Sequence, residues 1–318
     1  MRLRATAVRL AGGLAIVALL TGLVGQAGRF SERADLLNFF APVWLTVGIL
    51  ATLVLLALSR IAMLRLIGGG VLLALVAMAM SLWPVSPSPP ADCSGEDLTL
   101  AQFNVLKDNR EIERATAWIK GTGADIVTLE EAAGELPIVA DLRSLYPYQV
   151  SCVAAMHCST VILSRRPFTA SGGLAQGDPE NRKGLSAAWA TIASRAGPAT
   201  IVAAHLDRPW PWHSGPDDVA MLARFVRRQN GATTLVSGDF NRPAWSFQTA
   251  QLTGALGFAR APDIRSWPAM AVLPPLLAID HVFLGAGWRV IRISRGPALG
   301  SDHYPLLLRL RLCPSLRT

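Results

Sequence analysis

An α/β domain carried behind three transmembrane helices is the fold class this sequence predicts, and two observations carry the prediction. In the first 85 of its 318 residues the only acids are Glu32 and Asp35, and three apolar runs stand there: Val8–Gly25, Phe39–Leu58 and Leu66–Trp83. Beyond them, short runs of strand-forming residues alternate with loops and a few helical stretches, which is a layered α/β pattern.

Each apolar run approaches the roughly 20 residues that a helix needs to cross a ~30 Å hydrocarbon core. A helix buried in a soluble core would show a polar face at the 3.6-residue period, and none of the three does. The first run also reads as a secretory signal, because Arg2, Arg4 and Arg9 precede it, but the two later runs leave an anchor either way. Arg2, Arg4, Arg9, Arg60 and Arg65 flank one side of the spans, against Arg29 and Arg33 on the other. This bias predicts a multi-pass anchor (residues 1–83) in the inner membrane, with the amino terminus in the cytoplasm and everything after Trp83 outside it. A proline-rich segment, residues 84–97, reads as a stiff spacer, and residues 98–318 as one domain.

A formal charge of +8 by itself suggests an anionic polymer as partner, but its distribution along the chain argues otherwise. Seven arginines and two acids precede Ala91, leaving 23 basic and 20 acidic residues after it, so the domain itself is only weakly basic. Membrane topology accounts for most of the balance. All four cysteines, Cys93, Cys152, Cys158 and Cys313, fall in the part placed outside, where an oxidising compartment allows disulfides. Of the three pairings, a local Cys152–Cys158 loop with Cys93–Cys313 joining the domain's ends is preferred; four unpaired small hydrophobes is the alternative. No close pair has the two-to-four-residue spacing of a zinc site.

The strand-like runs are Leu98–Phe103, Ile126–Leu129, Thr160–Leu163, Ala187–Ile192, Thr200–Ala204, Thr233–Ser237, Ile279–Leu284 and Tyr304–Leu312. Glu111–Lys120 reads as a helix with Ile112, Ala115 and Ile119 on one face, opened by Asp108 or Asn109 and closed by Gly121. Val219–Arg228 reads as a second.

Residues able to do chemistry collect where these runs meet loops, which is where a rigid sheet presents functional groups. Asn104 ends the first run, Glu130 and Glu131 the second, and His205 the fifth; Asp239 and Asn241 follow the sixth, Asp280 lies in the seventh, and Asp302 and His303 precede the last. The segments Gln102-Phe-Asn-Val105, Asp125-Ile-Val-Thr-Leu-Glu-Glu131, Ile162-Leu-Ser-Arg165, Ala204-His-Leu206, Gly238-Asp-Phe-Asn241, Ile279-Asp-His281 and Gly300-Ser-Asp-His303 occur in an order that resembles the endonuclease/exonuclease/phosphatase superfamily. The resemblance spans Leu98 to Leu312. It implies a four-layer α/β sandwich with two packed sheets, a site at one edge, and a metal-dependent phosphoesterase.

Carried over residue by residue, the resemblance implies that Glu131 binds the divalent ion, with Asn104 and Asp302 beside it. Mg²⁺ or Mn²⁺ suits such oxygen ligands. It implies that Asp239 orients or deprotonates the attacking water, Asn241 holds a phosphate oxygen, His303 contacts the scissile phosphate, Asp280 fixes the His303 tautomer, and His205 is the second histidine. Of the adjacent glutamates, which a strand would point to opposite faces, the family pattern favours Glu131. His281 reads as a satisfied histidine, and His157 and His213 as incidental.

Substrate choice rests on less. Trp210 and Trp212 flank a proline in an unusual loop after His205, able to stack on bases or to enter a headgroup layer. Arg182 and Lys183 are further candidates for a phosphate contact, with a solvated turn as the alternative. A tether favours a lipid-linked phosphate, since it keeps such a substrate at high local concentration. Nucleic acid, hydrolysed by an extracytoplasmic nuclease, is the runner-up, and a non-catalytic membrane scaffold the third reading.

Overall fold

The computed structural model describes residues 2–83, 93–132, 137–152, 158–175, 185–209, 216–269 and 274–313. The chain divides into two compact units, Met1–Ser88 with Trp245–Ala250, and Pro89–Ala244 with Gln251–Thr318.

The first unit contains α1 (Arg2–Gln26), a short α2 (Glu32–Asp35), α3 (Ala41–Leu58) and α4 (Ala62–Leu82). Helices α1, α3 and α4 are long and apolar enough to cross a membrane. Small residues line the buried side of α1 at every third or fourth position, Ala11, Ala15, Ala18, Gly22 and Gly25, and let neighbouring backbones approach. Leu10, Leu14 and Val17 on the same helix are exposed. One of the two acids of this region is fully buried here. Asp35 accepts hydrogen bonds from Phe247 N (3.2 Å) and Gln248 N (2.9 Å), and from Asn38 Nδ2 (2.7 Å). A carboxylate without solvent needs such donors.

Among the described residues, the second unit has twelve strands: β1 (Glu96–Asn104), β2 (Ile126–Glu130), β3 (Tyr148–Ser151), β4 (Val161–Ser164), β5 (Phe168–Ala175), β6 (Ser186–Ile192), β7 (Ala199–His205), β8 (Thr234–Asp239), β9 (Ala259–Arg260), β10 (Asp280–Leu284), β11 (Trp288–Arg295) and β12 (Leu306–Leu312). They form two six-stranded sheets, ordered β11-β12-β1-β2-β4-β3 and β5-β6-β7-β8-β10-β9. In both, a parallel pair, β1–β2 and β7–β8, lies among antiparallel neighbours.

Alternation along the strands builds the layers. Leu98, Leu100, Ile126 and Ile162 of one sheet meet Ala190, Ile201, Leu235 and Val282 of the other in the central core. The opposite faces are covered by helices. Phe103, Val127 and Leu129 pack on α5 (Ile112–Thr122) and α6 (Ile138–Asp141). Val202, Val236 and Phe283 pack on α7 (Pro216–Val226) and on Leu252 and Leu256 of α8 (Phe247–Leu256). The result is the expected four-layer α/β sandwich of helices, two sheets and helices.

All eight sequence runs are strands, with ends moved by a residue or two. The four strands without a run of their own are β3, β5, β9 and β11, the outermost strand at each edge of the two sheets. An edge strand packs on fewer neighbours and so carries a weaker apolar pattern; β11 reads Trp-Arg-Val-Ile-Arg-Ile-Ser-Arg. Helix α5 closes at Gly123 rather than Gly121, because Gly123 takes the left-handed conformation (φ 65°) that ends a helix. Its entry is set by Asn109 Oδ1, which accepts from Glu111 N at 2.8 Å. Disulfides join Cys152 to Cys158 and Cys93 to Cys313, the latter tying the approach to β1 to the end of β12.

Candidate active site

On the strands that meet at one end of the central core, the inward-facing series turns from apolar to polar. Strand β1 runs Leu98, Leu100, Gln102, Asn104; β2 runs Ile126, Thr128, Glu130; β8 runs Leu235, Ser237, Asp239. The antiparallel β10 reaches the same end with its first residue, Asp280, beside Asp239 in register, and β7 contributes His205 opposite Asp239. The period of two places every second side chain on one face, so five strands deliver one polar cluster. Gly238 is required within it. Its φ is 148°, and a Cβ there would lie 1.9 Å from Ala204 O and 3.0 Å from Glu130 Oε1.

Asp239 is the centre. Its Oδ1 accepts from Asn241 N (2.8 Å), and its Oδ2 accepts from Asn104 Nδ2 (3.0 Å) and lies 3.5 Å from His303 Nε2 and 3.7 Å from His205 Nε2. Asn241, at φ 52°, also donates from Nδ2 to Leu206 O (2.8 Å). His205 shares a 3.0 Å hydrogen bond through Nδ1 with Ser159 Oγ. His303 Nδ1 bonds Asp280 Oδ2 at 2.8 Å, and Asp280 Oδ1 accepts from Gln102 Nε2 at 2.8 Å.

These distances set the protonation states. Burial opposes a charge on His303, but Asp280 and Asp239 outweigh it and raise its pKa to about 10. Burial likewise pushes Asp280 up, and the His303 imidazolium together with its hydrogen bonds holds it below the usual carboxylate range. Asp239 ends above that range, driven by burial and by Asp280 against the pull of His303.

The two glutamates separate differently from the alternation expected of a strand. Glu130 ends β2 fully buried between the sheets, where Gln102 Nε2 donates to its Oε2 at 2.8 Å. Burial, reinforced by Asp280 and Asp239, raises its pKa well above normal, and its Oε1 has no partner among the described residues. A neutral acid is the form such a position tolerates. Glu131 lies beyond the strand at φ 56°, a conformation that turns it away from the strand face. It accepts from Lys107 N (3.2 Å) and Asn104 Nδ2 (3.4 Å). Burial acts against its charge, but His205 and these hydrogen bonds keep its pKa below the ordinary value.

Asp239, Asp280 and His303 offer ligand atoms within 4.8 Å of one another. Asp280 Oδ2 and His303 Nδ1 are bonded to each other, however, and a protonated imidazole has no lone pair for a cation. Ionised Glu131, with Asp302 on the turn before His303, is chemically the better donor set for a hard divalent ion. Asn104 turns its Nδ2 to the carboxylates while its Oδ1 accepts from Leu106 N (3.1 Å), so here it orients Glu131 and Asp239.

Asn104, Glu131, His205, Asp239, Asn241, Asp280, Asp302 and His303 thus converge on one edge. His281 is buried, bonded through Nε2 to Arg242 O (2.8 Å), and its pKa is lowered to about 3 by burial. Arg182, Lys183, Trp210, Trp212, His157 and His213 lie outside the described residues, as does most of the proline-rich spacer. Sequence reasoning missed Gln102, Ser266 and Trp267. Gln102 shares the inward face of β1 with Asn104 and was within reach of the period-two rule; nothing local marks the other two.

Residues 101–303 match the model of the Endonuclease/Exonuclease/phosphatase family. Among solved structures, an endonuclease/exonuclease/phosphatase from Beutenbergia cavernae is 18% identical, with a TM-score of 0.53 over 68% of this chain and 72% of that one. One from Bacteroides vulgatus is 20% identical, with a TM-score of 0.52 over 68% and 99%. A beta toxin variant from Staphylococcus aureus with bound magnesium ions is 16% identical, with a TM-score of 0.52 over 68% and 100%. At these identities the likeness is one of fold. No curated protein matches the chain.

Proposed function

Because the chain belongs to the Endonuclease/Exonuclease/phosphatase family, whose members are metal-dependent hydrolases of phosphoester bonds, we propose that it hydrolyses a phosphate ester or pyrophosphate of a lipid-linked substrate at the outer face of the membrane. The observation that carries the chemistry is Asp239, a buried carboxylate set among Asn104, Asn241, His205 and a protonated His303.

Its raised pKa brings Asp239 closer to neutral, which suits a group that takes the proton of an attacking water. His303 is protonated at neutral pH and places positive charge where a phosphoryl oxygen gains negative charge; Asp280, held by Gln102 and Ser266, keeps its ring oriented. Asn241 and His205 add hydrogen-bonding groups on the other side of Asp239. A divalent cation, Mg²⁺ or Mn²⁺, held by Glu131 and Asp302 would neutralise charge on the phosphoryl group. No covalent nucleophile is needed for water to attack in line with the leaving oxygen.

Three helices apolar enough to cross a membrane favour a substrate confined to it, and the weak basicity of the remaining chain gives little of the phosphate attraction on which nucleases rely. Two disulfides support an oxidising compartment, hence the extracytoplasmic side. Arg182, Lys183, Trp210 and Trp212 remain candidates for headgroup contact on sequence grounds.

The test is the intact protein in liposomes, offered polyprenyl phosphates, phospholipids and plasmid DNA together. Release of phosphate or headgroup should require Mg²⁺ or Mn²⁺, stop with a chelator, and fall at least ~10²-fold in Asp239→Ala or His303→Ala. Full activity in either variant would refute the mechanism, and plasmid nicking without lipid turnover would replace the substrate by nucleic acid.

A further inference from the structure

Two of the carboxylates at this edge are gripped from one dipeptide, Ser266-Trp267. Trp267 pairs with Leu277 at the mouth of a loop: Ser266 N and Trp267 N donate to Leu277 O (2.9 and 3.0 Å), and Leu276 N and Leu277 N donate to Trp267 O (2.7 and 2.8 Å). The same stretch brackets the Asp302–Tyr304 turn. Ala269 N donates to Asp302 O at 2.7 Å, and Tyr304 N donates to Ser266 O at 2.8 Å. On this frame the fully buried Ser266 donates from Oγ to Asp280 Oδ2, and the half-buried Trp267 donates from Nε1 to Asp302 Oδ2 at 3.2 Å.

We propose that Trp267 is a positioning residue for the divalent-cation site, its indole N–H fixing the Asp302 carboxylate in the orientation that binds the ion. The proposal rests on the reading of Asp302 as a ligand given above. An aspartate on a turn would otherwise rotate freely, and immobilising it at the moment of binding costs affinity. An indole N–H is a donor only, so it occupies Oδ2, leaves Oδ1 for the ion, and cannot itself compete for it. It is also uncharged. Lysine or arginine in its place would hold the carboxylate equally well but cancel the negative charge that attracts the cation. The backbone bond from Ala269 to Asp302 O fixes the main chain of the same residue, so side chain and backbone are held from one segment. Ser266, acting on Asp280, belongs to the imidazole side of the site, and the dipeptide keeps the two halves in one frame.

The test is Mn²⁺ affinity, measured by titration calorimetry and by the electron paramagnetic resonance of free Mn²⁺ on the intact protein in detergent, with no substrate present. Trp267→Phe keeps the ring and removes the donor. It should weaken Mn²⁺ binding about tenfold, the lower end of what partners of metal ligands contribute, while thermal unfolding in chelator stays as in the unaltered protein. Ser266→Ala should leave Mn²⁺ affinity within about twofold. In the phosphoesterase assay, Trp267→Phe should raise the Mn²⁺ concentration for half activation and recover its rate at saturating Mn²⁺. Unchanged Mn²⁺ affinity in Trp267→Phe overturns the proposal, as does unchanged affinity in Asp302→Ala, which removes its premise. Should Trp267→Phe fail to fold, Trp267→Gln, which keeps an N–H donor, must bind Mn²⁺ more tightly than Trp267→Ala, and equal affinities overturn it. Since no substrate enters the binding experiment, an error about the lipid substrate would leave its outcome untouched.

Discussion

Replacing Asp280 by Asn tests the electrostatic centre of the site. Asp280 is fully buried, accepts from Gln102, Ser266 and His303, and is the foremost influence raising the His303 pKa from an ordinary value near 6.5 to about 10. At roughly 1.4 kcal/mol per pKa unit, a shift of this size corresponds to something on the order of 3–5 kcal/mol of coupling between the imidazolium and its surroundings. Removing one partner of a buried ion pair costs about the same, roughly 3–5 kcal/mol, because the other charge is left buried and unpaired. The sign follows from linkage: a pKa raised in the folded state adds stability that is complete below about pH 6.5 and is lost as pH rises through about 10. Denaturant unfolding of the intact protein in detergent, repeated between pH 6 and pH 10, should show Asp280→Asn less stable by about 3–5 kcal/mol at the acid end, with the gap narrowing toward the alkaline end. A gap that does not change with pH, or none at all, would refute the ion-pair account.

Gly238→Ala should cost at least about 2–3 kcal/mol, since the new methyl would meet the backbone oxygen of Ala204 at 1.9 Å and the φ of 148° disfavours any side chain; a wild-type melting temperature would contradict it. Replacing Cys93 and Cys313 together by Ser should lower stability by about 2–5 kcal/mol, and dithiothreitol should lower that of the unaltered protein at least as much. Equal stability in all these states would show that the Cys93–Cys313 bond does not constrain the chain.

Much of the fold can be read along the chain because strand alternation and helix periodicity are local properties. The eight strand runs that stand out in the sequence are the interior strands, which draw apolar side chains from neighbours on both sides; the four outermost are too weakly patterned to read. The two helices with a one-sided apolar face, α5 and α7, are legible, whereas α8 is not, as its Phe-Gln-Thr-Ala-Gln-Leu-Thr-Gly-Ala-Leu sequence has little polarity contrast between faces. The site residues at strand ends are equally visible, because each motif is a few residues long.

Three apolar helices and a layered α/β pattern are thus legible along the chain, and its motifs, through the resemblance they carry, point to the candidate set Asn104, Glu131, His205, Asp239, Asn241, Asp280, Asp302 and His303. How these groups act on one another depends on the packing of the sheets. That the Glu130 pKa is raised well above normal follows from its burial between two sheets, reinforced by Asp280 and Asp239, which lie more than a hundred residues away along the chain. That His303 carries its proton follows from a carboxylate on β10 and another on β8. That Ser266 and Trp267 hold Asp280 and Asp302 follows from a loop whose own sequence shows no catalytic motif. Charge states and ligand orientation depend on distances of a few ångströms between residues remote in sequence, and those distances exist only once the two sheets have packed.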